Sequence, residues 1–281
     1  RTCSNTTMSA SVLGYIGLLL NHAPFLHRCN IVGKILVDAW AHPIITNRVQ
    51  FKTIMRQCYG STKTPEEMWT DMEIPYTTEE AEAFRRELGS GELAPAAAVK
   101  DFLIRNCTMQ PEMNLVVGNE TFTVPCNKHH IVGEVTSAYD LYCSSSKTVK
   151  RILNTKTAKV PDLKSFRRYS VTGLIHNLDA QVMDSTCRAI MDRFNWAIDI
   201  HDAIIVCPEA ATLAREVYAN GATQDSPSLK WVHTNRKAIL EKYFSSVGVA
   251  LTPEALKDWD KVQQLVIPLR EELQINTMVL K

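Results

Sequence analysis

The stretch Trp196–Glu209, WAIDIHDAIIVCPE, constrains the fold of this chain more than any other. Residues 197–200 and 203–206 each read as a short apolar strand, and only His201 and Asp202 lie between them. That pattern is a β-hairpin with a two-residue tip. Such tips usually carry Gly or Asn, because the favoured backbone needs φ > 0. His and Asp at the tip have two readings. One is an ordinary Asx-type turn. The other is chemical: a carboxylate on a tight tip projects beyond the sheet and can hold Mg²⁺ with little side-chain freedom.

The rest of the chain sets the context for that choice. Its 281 residues suffice for a sizeable core, and 45% hydrophobic with 22% charged residues is the profile of a soluble globular protein. A net charge of +1 creates no global field for a polyanion, so nucleic-acid binding must rest on local patches. The eight cysteines form no CxxC pair and read as reduced, buried thiols. The longest apolar run, Val12–Leu20, is too short to span a bilayer, which points to no membrane partner. The first residue is Arg rather than Met, as expected of a piece of a longer polypeptide or a processed product.

Residues 9–20 read as a helix apolar on most faces, with Asn21 as its C-cap. Residues 30–40 read as another, stopped by Pro43. In residues 47–62, Arg48, Lys52, Met55 and Tyr59 recur on one helical face that ends at Gly60. Two cations one turn apart repel unless an anion sits between them, and a triphosphate suits that place as well as solvent does. Residues 77–88 form an exposed charged helix, and residues 95–105 a further one. Gly118-Asn119 marks a hairpin. Residues 147–168 hold eight Lys and Arg against one acid, either a solvated face or a surface that tracks phosphates. Residues 174–194 read as a helix with Asp179 at its N-cap, leading directly into the hairpin. Helices interspersed with a few hairpins indicate an α+β chain, mostly helical with short antiparallel hairpins.

Three of these stretches, in this order, resemble the single-subunit RNA polymerases of bacteriophages and mitochondria, within the wider polymerase A superfamily. Arg48, Lys52 and Tyr59-Gly60 resemble motif B on the fingers helix. Ile175-His176-Asn177-Leu178-Asp179-Ala180 looks like the Ile-His-Ser-x-Asp-Ala element characteristic of the RNA polymerases. His201-Asp202-Ala203 looks like motif C. Lys52 stands one residue closer to Tyr59 than the family's lysine does. Ungapped, the lysine and arginine positions fall on Phe51 and Asn47. Motif A, which carries the other metal-binding aspartate, fits in two registers. One runs Thr7-Met8-Ser9-Ala10-Ser11, with Thr7 at the aspartate position. The other uses Thr2-Cys3-Ser4 and puts the aspartate just before Arg1.

The resemblance implies the palm and fingers of a right hand: residues 1–45 as part of the palm, 46–170 as fingers, and 171–281 as palm with motif C and C-terminal helices. It implies template-directed transfer of nucleotidyl groups to an RNA 3′-hydroxyl with two Mg²⁺ ions. Asp202 would bind metal, and Lys52 and Arg48 would meet the incoming triphosphate. Tyr59, beside Gly60, would close on the nascent base pair and help sense the ribose. His176 and Asp179 would lie near the nucleotide sugar or the product duplex, and His201 would support the hairpin or primer end. The implied partners are a DNA template, the RNA product, ribonucleoside triphosphates and a second polypeptide or N-terminal fragment that completes the enzyme. The implied setting is intracellular: host cytoplasm, virion or mitochondrion. Two rivals stand beside this reading: a catalytically inactive polymerase-like subunit, and a DNA polymerase of the same superfamily.

Overall fold

The computed structural model describes residues 2–4, 8–29, 53–54, 56–108, 112–117, 120–125, 129–143, 148–161, 163–200 and 203–275. The architecture is α+β and mostly helical. Its centre is α1 (Met8–Leu20), which carries no charged residue. Val12, Leu13, Tyr15, Ile16, Leu18 and Leu19 are all at most 4% exposed, so α1 has no solvent face over this length. It ends at Asn21, whose φ of +56° is the left-handed conformation of a helix C-cap, as expected.

α2 (Ala23–Arg28) follows at once. α3 (Pro65–Asp71) and α4 (Thr78–Ser90) each open with a capping box. Thr64 pairs reciprocally with Glu67, and Thr77 with Glu80, so two orphan N–H groups are satisfied at each start. α5 (Ala94–Asn106) leads toward two hairpins. In the first, β2 (Glu112–Val117) pairs with β3 (Glu120–Pro125), flanking Gly118-Asn119 as the sequence indicates. The second is longer than the short hairpins expected. There β4 (His129–Cys143) pairs antiparallel with β5 (Thr148–Pro161), with a bulge between Val135 and Ser137.

α6 (Leu163–Phe194) is the longest helix, about 48 Å at 1.5 Å per residue. It begins eleven residues before the expected start at 174. Phe166, Val171, Leu174, Ile175 and Leu178 continue one buried stripe through Gly173, and their burial outweighs the roughly 1 kcal/mol that a helical glycine costs. Asn195, at φ +54°, ends the helix and turns the chain into β6 (Ile198–Ile200) and β7 (Ala203–Ile205). The C-terminal part is helical: α7 (Ala211–Asn220), α8 (Leu229–Thr234), α9 (Arg236–Ser246) and α10 (Pro253–Gln264). α1 packs against α2, α6, α8 and α9. Among the described residues no helix is long and apolar enough to cross a membrane.

The segment after α10 is tied back onto the end of α1. The Ala23 N–H donates to the Ile267 carbonyl at 2.8 Å, and the Leu269 N–H donates to the Asn21 carbonyl at 3.0 Å. Nδ1 of the fully buried His22 accepts from the Ile267 N–H at 3.0 Å. His233 Nε2 lies 2.7 Å from Asn21 Oδ1. Burial pushes the pKa of His22 down to about 4, and burial with the nearby Arg236 charge does the same to His233. In the unfolded chain both imidazoles titrate near 6.5 and take up protons that the fold refuses until about 4. The unfolded state therefore binds more protons in that window, and stability falls as pH drops through it. Urea midpoints measured from pH 7 to pH 4.5 should decline, and a His22→Gln, His233→Gln double variant should show a flatter decline.

Candidate functional site

β1 (Thr2–Ser4) joins the hairpin to give a three-stranded sheet of order β1-β7-β6. Thr2 pairs with Ile205, Cys3 with Ile204 and Ser4 with Ala203, while Ile200 pairs with Ala203 from the other side. Both strands of the expected hairpin are present in the expected register. Its tip residues, His201 and Asp202, lie outside the described residues. Ile204 and Val206 bury into the core, whereas Ile198 on the edge strand is exposed.

α6 carries two of the expected site residues. His176 stays exposed, with its pKa lowered by the protein around the ring. Its imidazole meets the Tyr59 ring edge-to-face, with centroids 5.2 Å apart and planes at 78°. Two of the sequence islands thus come into direct contact. Tyr59 is half-buried, in the segment that the motif B resemblance singled out. Residues 53–54 and 56–58 are helical, and Gly60 leaves the helix at φ +83°. A side chain at Gly60 would place its Cβ 3.2 Å from the Arg168 carbonyl oxygen, so the turn also depends on close approach to α6. The Thr172 hydroxyl donates to the Tyr59 carbonyl at 3.4 Å, and Arg168 Nη2 donates to Thr62 Oγ1 at 3.0 Å. Thr53 is buried and accepts from the Trp69 indole N–H at 2.8 Å. Arg48 and Lys52 lie outside the described residues.

The sequence reading missed Thr172 and counted Arg168 only among the basic residues of 147–168. Their signal was available: with His176 they recur at four-residue spacing on one face of α6. Asp179 is not an N-cap, because α6 begins sixteen residues before it. It lies beside Tyr15 of α1 and Tyr218 of α7. Burial first, then Tyr218 and Asp179, hold the Tyr15 hydroxyl pKa well above its ordinary value. Asp179 is half-buried and stands beside Tyr15 where α6 meets α1.

The basic stretch is also more engaged than its composition implies. On β5, Arg151 pairs in register with Asp140 and Lys156 with Glu134, while Lys150 and Lys159 face Leu141 and Ile131. Arg167 Nε donates to the Cys107 carbonyl at 3.1 Å.

Mg²⁺ prefers carboxylate and other oxygen donors in octahedral array. Among the described residues no group of three or more His, Cys, Asp or Glu is placed to hold a metal ion. The described strands of the three-stranded sheet offer one carboxylate, Asp199, with the hydroxyls of Thr2 and Ser4. No family model, no curated protein and no solved structure matches this chain.

The turn at Gly60 generates a stability contrast. Gly60→Ala puts an L-residue into left-handed backbone and against Arg168, and should cost about 1–2 kcal/mol. Gly89→Ala lies in helix α4 with open space at the Cβ position, and should gain about 0.5–1 kcal/mol. Chemical denaturation of the two variants beside the parent chain measures both signs.

Proposed function

We propose that this chain is the palm-and-fingers part of a single-subunit-type RNA polymerase, which transfers nucleotidyl groups to an RNA 3′-hydroxyl under the direction of a DNA template. The observation that carries the reading is the Tyr59–His176 ring contact. The two residues are far apart in sequence, and the resemblance independently assigns both to the nucleotide end of the active site. The pairing of β1 with β7 of the hairpin lends further support, since the resemblance puts the motif A region and motif C both in the palm. In this reading residues 46–170 supply the fingers, and residues 1–45 and 171–281 supply the palm.

Tyr59 and His176 then form the wall against the incoming ribose and base. Gly60 fixes the tyrosine by ending its helix there. Arg48 and Lys52, one turn apart, meet the triphosphate of the ribonucleotide. Asp202, supported by His201, is the residue assigned to Mg²⁺, the cofactor this chemistry calls for. DNA, RNA product and a completing polypeptide are the partners.

One observation favours a second reading, a catalytically silent polymerase-like subunit. β1 approaches the hairpin tip with its Ser4 end, because Thr2 pairs with Ile205 and Ser4 with Ala203. The residues that follow Ser4 in the sequence are Asn5, Thr6 and Thr7, none of them acidic. In the register with Thr7 at the aspartate position, the chain itself would lack that carboxylate.

Templated incorporation of labelled ribonucleotides with Mg²⁺ separates the two, using the chain alone and with a candidate completing polypeptide. Under the first reading incorporation occurs, and Asp202→Ala lowers it at least a hundredfold. Tyr59→Phe keeps synthesis but loses about tenfold in preference for ribose over deoxyribose, the worth of one hydrogen bond. A folded chain that binds template and partner yet incorporates nothing would establish the silent subunit.

A further inference from the structure

A cavity of about 640 Å³ opens between the end of α1 and helices α5, α9 and α10, and nothing in the polymerase reading uses it. Its size lies within the roughly 300–1,000 Å³ range of small-molecule sites. Phe102, Phe244 and Trp259 form one wall, each ring about 5.0–5.1 Å from the other two. They are locked against one another before any ligand arrives. Leu19, Leu20 and Leu240 complete the apolar interior. At the rim Leu251 is 69% and Leu256 47% exposed, apolar surface left in water where most leucines of this chain are buried.

The charged residues of the lining are Arg236, Lys237 and Glu241, a net charge of +1. Arg236 uses one N–H of its guanidinium, donated by Nη1 to the His233 carbonyl at 2.8 Å. Its remaining N–H groups form the planar fork that pairs bidentately with a carboxylate. Lys237 and Glu241 form no ion pair or side-chain hydrogen bond among the described residues, although they stand one helical turn apart. A cavity with aliphatic and aromatic walls and an uncommitted cationic edge is complementary to an anionic amphiphile.

We propose that this cavity binds a single-chain aliphatic carboxylate, with its chain against Phe102, Phe244 and Trp259 and its head group at Arg236 and Lys237. The proposal does not rest on the polymerase reading, and its test needs no nucleotide.

The test is isothermal titration of the full chain with dodecanoate below its micelle concentration, with dodecyltrimethylammonium as the charge-reversed probe and acetate as the head group alone. One-to-one saturable binding of dodecanoate, with a negative heat-capacity change and much weaker binding of the other two, is the expected result. Leu256→Trp, at a partly exposed rim position, narrows the mouth and should weaken dodecanoate at least tenfold. Arg236→Gln with Lys237→Gln should weaken it by about tenfold and narrow its advantage over the ammonium probe. Circular dichroism and thermal melts confirm that each variant is folded. No saturable binding by the folded parent chain would overturn the proposal. So would equal affinity for carboxylate and ammonium, or affinity that neither variant changes.

Discussion

Helix α1 buries its side chains on every side over two and a half turns, so each neighbouring element is placed by the need to cover part of it. Such a helix is unstable alone in water, because it has no polar face to present. α2, α6, α8 and α9 all pack against it. Gly17 shows how tight the arrangement is: a Cβ there would lie 2.9 Å from Phe25 Cβ of α2. The absence of that one carbon lets α2 fold back directly after the turn at Asn21. The same turn then receives the chain's distant end, through backbone bonds between residues 21–23 and 267–269. One apolar helix therefore decides where both the early and the late parts of the chain lie.

α6 carries that order outward to the candidate site. Leu174, Ile175 and Leu178 lie in the core, while Arg168, Thr172 and His176 hold the Tyr59–Gly60 turn on another face. A continuous helix relates these faces rigidly, since each residue turns about 100° and rises 1.5 Å. The Tyr59–His176 geometry thus follows from how α6 seats against α1, α5 and the C-terminal helices. The same helix runs into β6, so the orientation of the hairpin is tied to the ring contact. Where α6 meets α1, Asp179 stands beside the buried Tyr15, so that polar groups lie close together in the core.

Local chemistry was legible in the sequence, and long-range chemistry was not. The two-residue separation of β6 and β7, the Gly-Asn hairpin and the C-cap at Asn21 each depend on a few adjacent residues. Each is found where those residues indicate. The N-terminal reach of α6 was missed because Gly173 looks like a breaker until its burial context is known. Asp179 was read as a cap for the same reason. The Tyr15–Asp179–Tyr218 grouping joins three elements distant in sequence, so no local pattern announces it. Composition alone likewise does not show which cations of the basic stretch stand opposite acids across a strand pair. Once β4 lies opposite β5, Arg151 and Lys156 have Asp140 and Glu134 for neighbours.

Strand direction is the constraint with the most consequence for chemistry. In an antiparallel pair, position along one strand determines position along the other, residue for residue. Thr2 opposite Ile205 and Ser4 opposite Ala203 leave no freedom over which end of β1 meets the hairpin tip. The residues that follow Ser4 in the sequence are Asn5, Thr6 and Thr7. Those residues are neutral amide and hydroxyl side chains, which bind Mg²⁺ more weakly than a carboxylate because they bring no charge to offset its desolvation. The Tyr59–His176 ring pair and the β1 ladder are thus set by different parts of the fold, the first by α6 and the second by the register of the hairpin strands.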